Sequence, residues 1–408
     1  FLGTEFYSAV IREILANPEA YGRSEYGRDE KVMVEFVSAN PTGPMHMGNA
    51  RGGALGDCLA AVLDKAGYNA WREFYVNAAG NQIEKFGCSL EARYLQIFKG
   101  DEIEFPEDGY QGEDIKDLAK EYAALNGDSL VNVSAEERKK ALVDYALPKN
   151  IKKMQADMEK YKIFYDKWFF ESELHKSGAV KAVVDLLTKK GLTYEKDGAV
   201  WYKNKEVLTQ KLLKEGKSQK YIDNLELKDD VLIRQNGNPT YFTADIAYHK
   251  NKFDRGFTTL IDVWGADHHG HVMRMKGAMD AIGYDGDKLN VVLMQLVKLV
   301  KDGELVKMSK RTGKAIQLGD LLDEVPVDSA RFLFNTKEAN TQMDFDLDLA
   351  VSQDNQNPVY YVQYAHARIC SIFKSLAKEG ISPRECTDAE IALLTAPEEK
   401  ELINHLAS

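Results

Sequence analysis

The sequence is short of cysteine, of long apolar runs and of positive charge, and each shortage removes a class of protein. Only Cys58, Cys88, Cys370 and Cys386 occur in 408 residues, with no C-x-x-C pair and no histidine spacing that makes a zinc site. A disulfide scaffold is excluded, and such sparse cysteine suits a reducing compartment. No window holds 18 uninterrupted apolar residues, and the most apolar stretch, 291–300, is broken by Gln295 and Lys298. No membrane partner is expected. The opening residues FLGTEFYSAV lack a basic n-region and a cleavage pattern, so no secretory signal is read and a cytoplasmic location is expected. The chain opens on Phe1 instead of Met and is expected to be a fragment. There is no repeat and no low-complexity tract. The formal net charge of -11 speaks against polyanion binding by the whole surface. It leaves room for a nucleic acid held by a local basic stripe, because screening confines phosphate contacts to about 8–10 Å.

What is present is ample material for packed cores, with 44% hydrophobic residues, 20 Tyr, 17 Phe and 4 Trp. The length predicts two to four units. Residues 1–30 read as a helix and a Gly/Arg-rich loop. Val32, Met33, Val34, Phe36 and Val37 form a short apolar run, read as a buried strand, which breaks at the turn-forming cluster 38–44. A helix follows, with Leu55, Cys58, Leu59, Val62, Leu63 and Ala66 as its apolar face and Gly67 as its stop. Residues 70–76 supply a second strand, making a βαβ unit with parallel pairing. Residues 100–165 read as a charged, solvated helical insertion, with Ser134 and Glu137 as a capping box. Residues 166–230 read as a small α+β insert with Trp168, Phe169, Phe170, Tyr194 and Trp201 in its core. The αβ pattern resumes at Val231, with strands at 259–263 and 289–297 around a helix ending near Ile282. From Val327 the chain turns helical.

The expected fold class is therefore α/β. A Rossmann-like parallel-sheet core is split by an inserted α+β domain and followed by the start of an all-helical C-terminal domain. The boundaries are 1–30 for a leading tail and linker, 31–165 for the first half of the core with its helical insertion, and 166–230 for the insert. Residues 231–326 make the second half, and 327–408 the helical part.

Two short constellations carry chemistry. Residues 44–49, PMHMGN, fall where a strand passes into a helix. A helix N-terminus offers unpaired N–H groups to a phosphate. His46 can donate to a phosphate oxygen, and Gly48 leaves room for a flat ring at the backbone. Residues 306–313, VKMSKRTG, follow a strand late in the chain, and their lysines suit a triphosphate and its leaving pyrophosphate. Either element alone is an ordinary loop more often than not. His268, His269 and His271 suggest a metal at first sight, but they follow a strand where a mononucleotide would lie, and no metal site is expected.

Taken together, the H-x-G-x element and the KMSK loop, about 260 residues apart, resemble the two signatures of class I aminoacyl-tRNA synthetases. The flanking residues 35–44 (EFVSANPTGP) and 46–52 (HMGNARG) resemble the arginyl-tRNA synthetase family, as do 241–248 (YFTADIAY) and 357–368 (NPVYYVQYAHAR). The resemblance covers nearly the whole chain, apart from the variable stretch 100–150. It implies ligation of L-arginine to tRNA(Arg) through arginyl-adenylate, with ATP and Mg2+, by a monomer. It implies catalytic roles for His46, Asn49, Lys307 and Lys310. ATP contacts are implied at His46, Gly48, Asn49, Gly265, Asp267, His268, Met308 and Ser309. The substrate arginine falls to Glu35, Ser38, Asn40, Tyr241 and Asp245, and tRNA to Tyr364, His366 and Arg368. A planar guanidinium with five fixed donors needs a carboxylate placed for bidentate pairing, which suits Asp245. Two departures stand out. Asn49 replaces the commoner fourth histidine, and the residues from Val327 are too few for a complete anticodon domain. The rival readings are a non-catalytic tRNA-binding paralogue, for which Asn49 speaks, and another class I synthetase.

Overall fold

The computed structural model describes residues 4–306 and 316–407. Helix α1 (Thr4–Ala16) leads to strand β1 (Lys31–Glu35). Val32, Met33 and Val34 are all buried, as a strand covered on both faces requires. Helix α2 (Met47–Lys65) and strand β2 (Asn69–Val76) complete the expected βαβ unit, with β1 and β2 parallel. Helices α3 (Asn81–Lys99), α4 (Glu113–Asn126) and α5 (Ala135–Lys160) follow. Ser134 caps α5, its Oγ accepting from the Glu137 N–H at 3.2 Å. These helices are not merely solvated, as the charge pattern suggested. Phe86, Leu90, Tyr94, Ile115 and Leu142 give them an apolar core of their own.

Strand β3 (Lys167–Phe170) then pairs in parallel with β2. Trp168, Phe169 and Phe170 therefore belong to the main sheet and not to the insert; Trp168 stacks on Phe74 at 4.1 Å. The insert proper holds α6 (Glu171–Lys176), α7 (Ala179–Lys189), β4 (Thr193–Lys196), β5 (Ala199–Tyr202), α8 (Asn204–Lys214), α9 (Gln219–Asn224) and β6 (Asp230–Ile233). Its strands form an antiparallel sheet, across which Tyr194 stacks on Trp201. The chain returns through α10 (Tyr241–Asp254), β7 (Thr259–Gly265), α11 (His269–Ile282) and β8 (Leu289–Met294). The main sheet is parallel, in the order β3-β2-β1-β7-β8. Consecutive residues of β1 face opposite sides. Val34 packs with α2, α5 and the later helices, Met33 with α7, α10 and α11.

The single strand expected at 289–297 is in fact two. The Gln295 N–H bonds the Ala339 carbonyl at 2.8 Å, and its own carbonyl accepts from the Arg51 guanidinium at 2.9 Å. With both groups taken off the ladder, β8 ends. Strand β9 (Val297–Lys301) starts a second sheet with β10 (Glu304–Leu305) and β11 (Met343–Asp346). The last part holds α12 (Leu318–Glu324), α13 (Val327–Phe334), α14 (Leu347–Val351), α15 (Pro358–Lys378), α16 (Asp388–Ile391) and α17 (Pro397–Ala407). It is helical as expected, except for β11.

The apolar face read on α2 holds in part, since Leu55, Leu59 and Leu63 pack against the main core. Val62 is 65% exposed, and Leu55, Cys58, Leu59 and Leu63 are only half-buried. The residues that α2 buries fully are mostly small, Ala50, Gly53, Ala54, Gly56 and Ala60 among them, with Met47 and Arg51 beside them. A Cβ on Gly56 would lie 2.2 Å from the Phe36 ring, at the root of the side chain where nothing can swing away. Close approach, not bulk, fixes α2 on the sheet. Gly56→Ala is accordingly expected to destabilise by about 1–3 kcal/mol, overriding its better helix propensity. Val62→Ala on the exposed face is expected to stay within about 0.5 kcal/mol. Urea unfolding of both variants checks the contrast.

Candidate active site

The strand order reverses its direction of growth at β1, with β2 on one side and β7 on the other. Open parallel sheets bind ligands in the crevice at such a switch point, beyond the carboxyl ends of the strands. Two cavities of about 880 Å³ and 890 Å³ lie there. Val37, Ser38, Asn40, Gln82, Gly265 and His268 line both, so the cavities share a wall.

The first cavity opens on the start of α2. His46 is the N-cap residue, and its Nδ1 accepts from the Gly48 N–H at 3.2 Å. An accepting Nδ1 places the ring hydrogen of neutral histidine on Nε2. The Asn49 Oδ1 accepts from the His46 N–H at 2.9 Å, closing a capping box. Asparagine at this position thus has a structural task, and its amide nitrogen keeps two donors. A Cβ on Gly48 would stand 3.3 Å from the His46 ring, so glycine keeps that imidazole in place. Gly265, Asp267 and His268 complete the opposite wall, with Asp267 and His268 largely exposed. Lys307, Met308, Ser309 and Lys310 lie outside the described residues. The chain just after them returns to this site: Gln317 bridges His46, and the Leu318 N–H bonds the Met45 carbonyl at 2.8 Å.

The second cavity brings together Glu35, Ser38, Asn40, Tyr241 and Asp245. Asp245 lies one turn after Tyr241 on α10, and the His271 Nε2 sits 3.1 Å from its Oδ2. The Tyr241 Oη accepts from the Asn81 N–H at 3.0 Å. Gly80 permits this, since it holds φ +80° and a Cβ there would lie 2.4 Å from that oxygen. Asn40 donates to the Gln82 Oε1 at 2.6 Å. Tyr75 also lines the cavity, and its hydroxyl donates to buried Glu171 at 2.8 Å. Glu35 is only 7% exposed, and both its oxygens are engaged. Oε1 accepts from the Ser38 hydroxyl at 2.7 Å and Oε2 from the Lys252 ammonium at 2.5 Å. Between them Val37 and Ser38 hold φ of +70° and +42°. Left-handed backbone in a non-glycine residue costs about 1–3 kcal/mol and is held only by its surroundings.

Beneath this cavity lies a buried charge quartet. Lys252 also donates to the Asp262 Oδ1 at 2.8 Å, and the His249 Nε2 meets the Asp262 Oδ2 at 2.7 Å. The other ring nitrogen of His249 faces the Asp245 carbonyl at 2.8 Å. Both ring nitrogens thus face oxygen atoms, and the imidazole is held from two sides. Burial lifts the Asp262 carboxyl, but Lys252 and His249 outweigh it and hold the group down at about 2. Burial lowers the Lys252 ammonium, but Asp262 and Glu35 prevail and push it up to about 12. For Glu35 burial prevails over the Lys252 attraction, and its carboxyl is raised. Sequence reasoning leaves out His249, Lys252, Asp262 and Tyr75, and reads His271 only within the histidine cluster at 268–271, beside a nucleotide instead of Asp245. The spacing 241, 245, 249, 252 on one helix carried part of that information, since such residues share a face.

Tyr364, His366 and Arg368 lie along α15 and line neither cavity. Among the described residues no group of three His, Cys, Asp or Glu side chains could hold a metal ion.

The family model for tRNA synthetases class I (R), catalytic domain, matches residues 10–370, and that for the DALR anticodon binding domain matches residues 362–408. An arginine–tRNA ligase of Ruminiclostridium cellulolyticum is 56% identical over 408 residues, covering 100% of this chain and 69% of the relative. One from Acetivibrio thermocellus is 54% identical, covering 100% of this chain and 70% of its own. Among solved structures, a Campylobacter jejuni chain described as an arginyl-tRNA synthetase superposes with a TM-score of 0.82 at 35% identity, covering 100% of this chain and 85% of that one. The Thermus thermophilus arginyl-tRNA synthetase, at 20% identity and TM-score 0.68 over 98% of this chain and 72% of that one, shares the fold. With its switch-point cavities and its matches along the entire chain, this protein belongs to the arginyl family of class I tRNA synthetases.

Proposed function

We propose that the chain ligates L-arginine to tRNA(Arg), with ATP bound in the cavity at α2 and arginine in the cavity at α10. The observation that carries the assignment of the cavities is their shared wall. It sets Asp245 and Tyr241 on one side and the start of α2 on the other. In the first step an oxygen of the arginine carboxylate attacks the α-phosphorus of ATP in line, and pyrophosphate leaves. In the second, a ribose hydroxyl of the terminal tRNA adenosine attacks the adenylate carbonyl, and AMP leaves. Neither step needs a covalent enzyme intermediate, so the protein's contribution is positioning and charge stabilisation.

Asp245 pairs with the guanidinium, and Tyr241 orients it. Glu35, Ser38 and Asn40 face the rest of the amino acid. Lysine would leave acceptors unpaired here, which discriminates more strongly than shape. His46 and Asn49 donate to the phosphates at the N-terminus of α2, and Gly48 admits the adenine. Gly265, Asp267 and His268 flank the nucleotide, with Met308 and Ser309 assigned to the same site. Lys307 and Lys310 neutralise the outgoing pyrophosphate. Mg2+ accompanies ATP as the counter-ion of its phosphates. Tyr364, His366 and Arg368 contact tRNA from α15, within the stretch 327–408 that begins the anticodon-binding part. All of these residues come from one chain, which suits a monomer. No helix among the described residues is long and apolar enough to cross a membrane. We place the protein in the cytoplasm, where tRNA charging takes place. The capping role of Asn49 removes the one feature that spoke for a non-catalytic paralogue.

ATP–pyrophosphate exchange across the twenty amino acids, with and without tRNA, is expected to respond to arginine alone and to require tRNA. Exchange with a different amino acid overturns the substrate. Asp245→Ala should raise the KM for arginine about 100-fold, the loss of about 3 kcal/mol of charged hydrogen bonding, and leave the KM for ATP within about twofold. Asn49→Asp keeps the acceptor that His46 needs and should keep the melting temperature. It sets a carboxylate against the phosphates, so kcat should fall at least about tenfold, the equivalent of 1.4 kcal/mol. Unchanged turnover in that variant removes Asn49 from the phosphate site.

A further inference from the structure

The wall between the two cavities is built on backbone that its own residues disfavour. Val37 is β-branched and holds φ +70°, and Ser38 follows at +42°. Two such residues in succession persist only where contacts over-determine them. The contacts are present. The Ser38 hydroxyl donates to Glu35 at 2.7 Å and accepts from the Tyr75 N–H at 3.1 Å, and the Ser38 N–H bonds the Phe36 carbonyl at 3.0 Å. Glu35 is the one carboxyl group among them. It is fixed from behind by Lys252 at 2.5 Å, which is itself fixed by Asp262 at 2.8 Å. Lys252 is fully buried and lines neither cavity. It touches no place where a substrate could sit, yet the orientation of Glu35 and the turn beside it depends on its charge.

We propose that Lys252 is a positioning residue of the amino-acid cavity, holding through Glu35 the left-handed Val37–Ser38 turn that walls off the nucleotide. The inference rests on the reading of that cavity as the arginine site. Without the ammonium, Glu35 has no partner for Oε2, Ser38 loses its fixed acceptor, and the turn relaxes toward the extended backbone that Val37 prefers. The damage falls mainly on arginine, because His46, Gly48 and Asn49 are carried by α2.

The test is calorimetric titration of L-arginine and, separately, of ATP into the 408-residue chain, with melting temperatures. The proteins are wild type, Lys252→Met, Lys252→Arg and Asp245→Ala. Lys252→Met removes the charge. Lys252→Arg keeps a cation for the two carboxylates and with it the fold, but its longer planar head moves Glu35. In each folded variant arginine should bind at least fivefold more weakly, with the Kd for ATP within about threefold of wild type. A purely structural role would lower the melting temperature and the binding-competent fraction, leaving the arginine Kd of the folded protein where it was. Either folded variant with an arginine Kd less than fivefold from wild type overturns the proposal while Asp245→Ala still weakens arginine. If Asp245→Ala also binds arginine normally, the arginine-site reading itself is wrong.

Discussion

Helix α10 drives His249 and Lys252 into the sheet against Glu35 at the end of β1 and Asp262 in the middle of β7. A lone ion buried to this depth would cost several kcal/mol, so each of the four groups is tolerable only with its partners in place. That mutual dependence fixes the helix. One turn further, the Arg255 guanidinium spans both oxygens of Glu73, a fully buried residue of β2, and the Tyr248 hydroxyl donates to the same carboxylate at 2.9 Å. The helix is thereby fastened across β7, β1 and β2 by charge-assisted bonds, which are more directional than apolar packing. Tyr241 and Asp245, one to two turns before these anchors, take their places at the cavity as a consequence.

The same constraint explains why much of the site could be read from sequence and some of it could not. The βαβ unit was visible because its signals are local: an apolar run, a break at Asn40 and Pro41, then a helical period. The face of α2 is only partly legible, because periodicity finds the large apolar residues Leu55, Leu59 and Leu63 and passes over the small ones. The buried side of α2 is Gly53, Ala54, Gly56 and Ala60, whose lack of bulk is what lets Phe36 approach. Strand β3 was given to the insert because nothing in Lys167–Phe170 says which sheet it joins; pairing with β2 is a long-range event. Likewise Gln295 reads as a strand residue until Arg51 and Ala339, far away in sequence, take its backbone groups. A motif points to Asp245 and Tyr241, and the structure brings both to one cavity. Asp262 and Lys252 escape sequence reasoning because buried charges pair across elements, where no spacing rule reaches.

A chain with net charge -11 that handles both a guanidinium and a triphosphate must place its acids unevenly. In the cavity proposed for arginine, the Asp245 carboxylate meets the His271 ring at 3.1 Å, and Glu35 lines the same cavity. In the cavity proposed for ATP the acids are muted. Glu113 is taken by Lys116 at 2.6 Å. Burial pushes the Asp114 carboxyl up, with its own N–H and that of Ile115 pulling the other way. Asp267 stands in solvent, where its charge is screened. The partition follows from topology. The end of β1 carries one carboxylate, Glu35, turned toward α10 and its cations. The next helix start, at His46, turns backbone N–H groups toward the other side. A cation site and an anion site can therefore adjoin along one shared lining, which brings the carboxylate of a bound amino acid next to a phosphate.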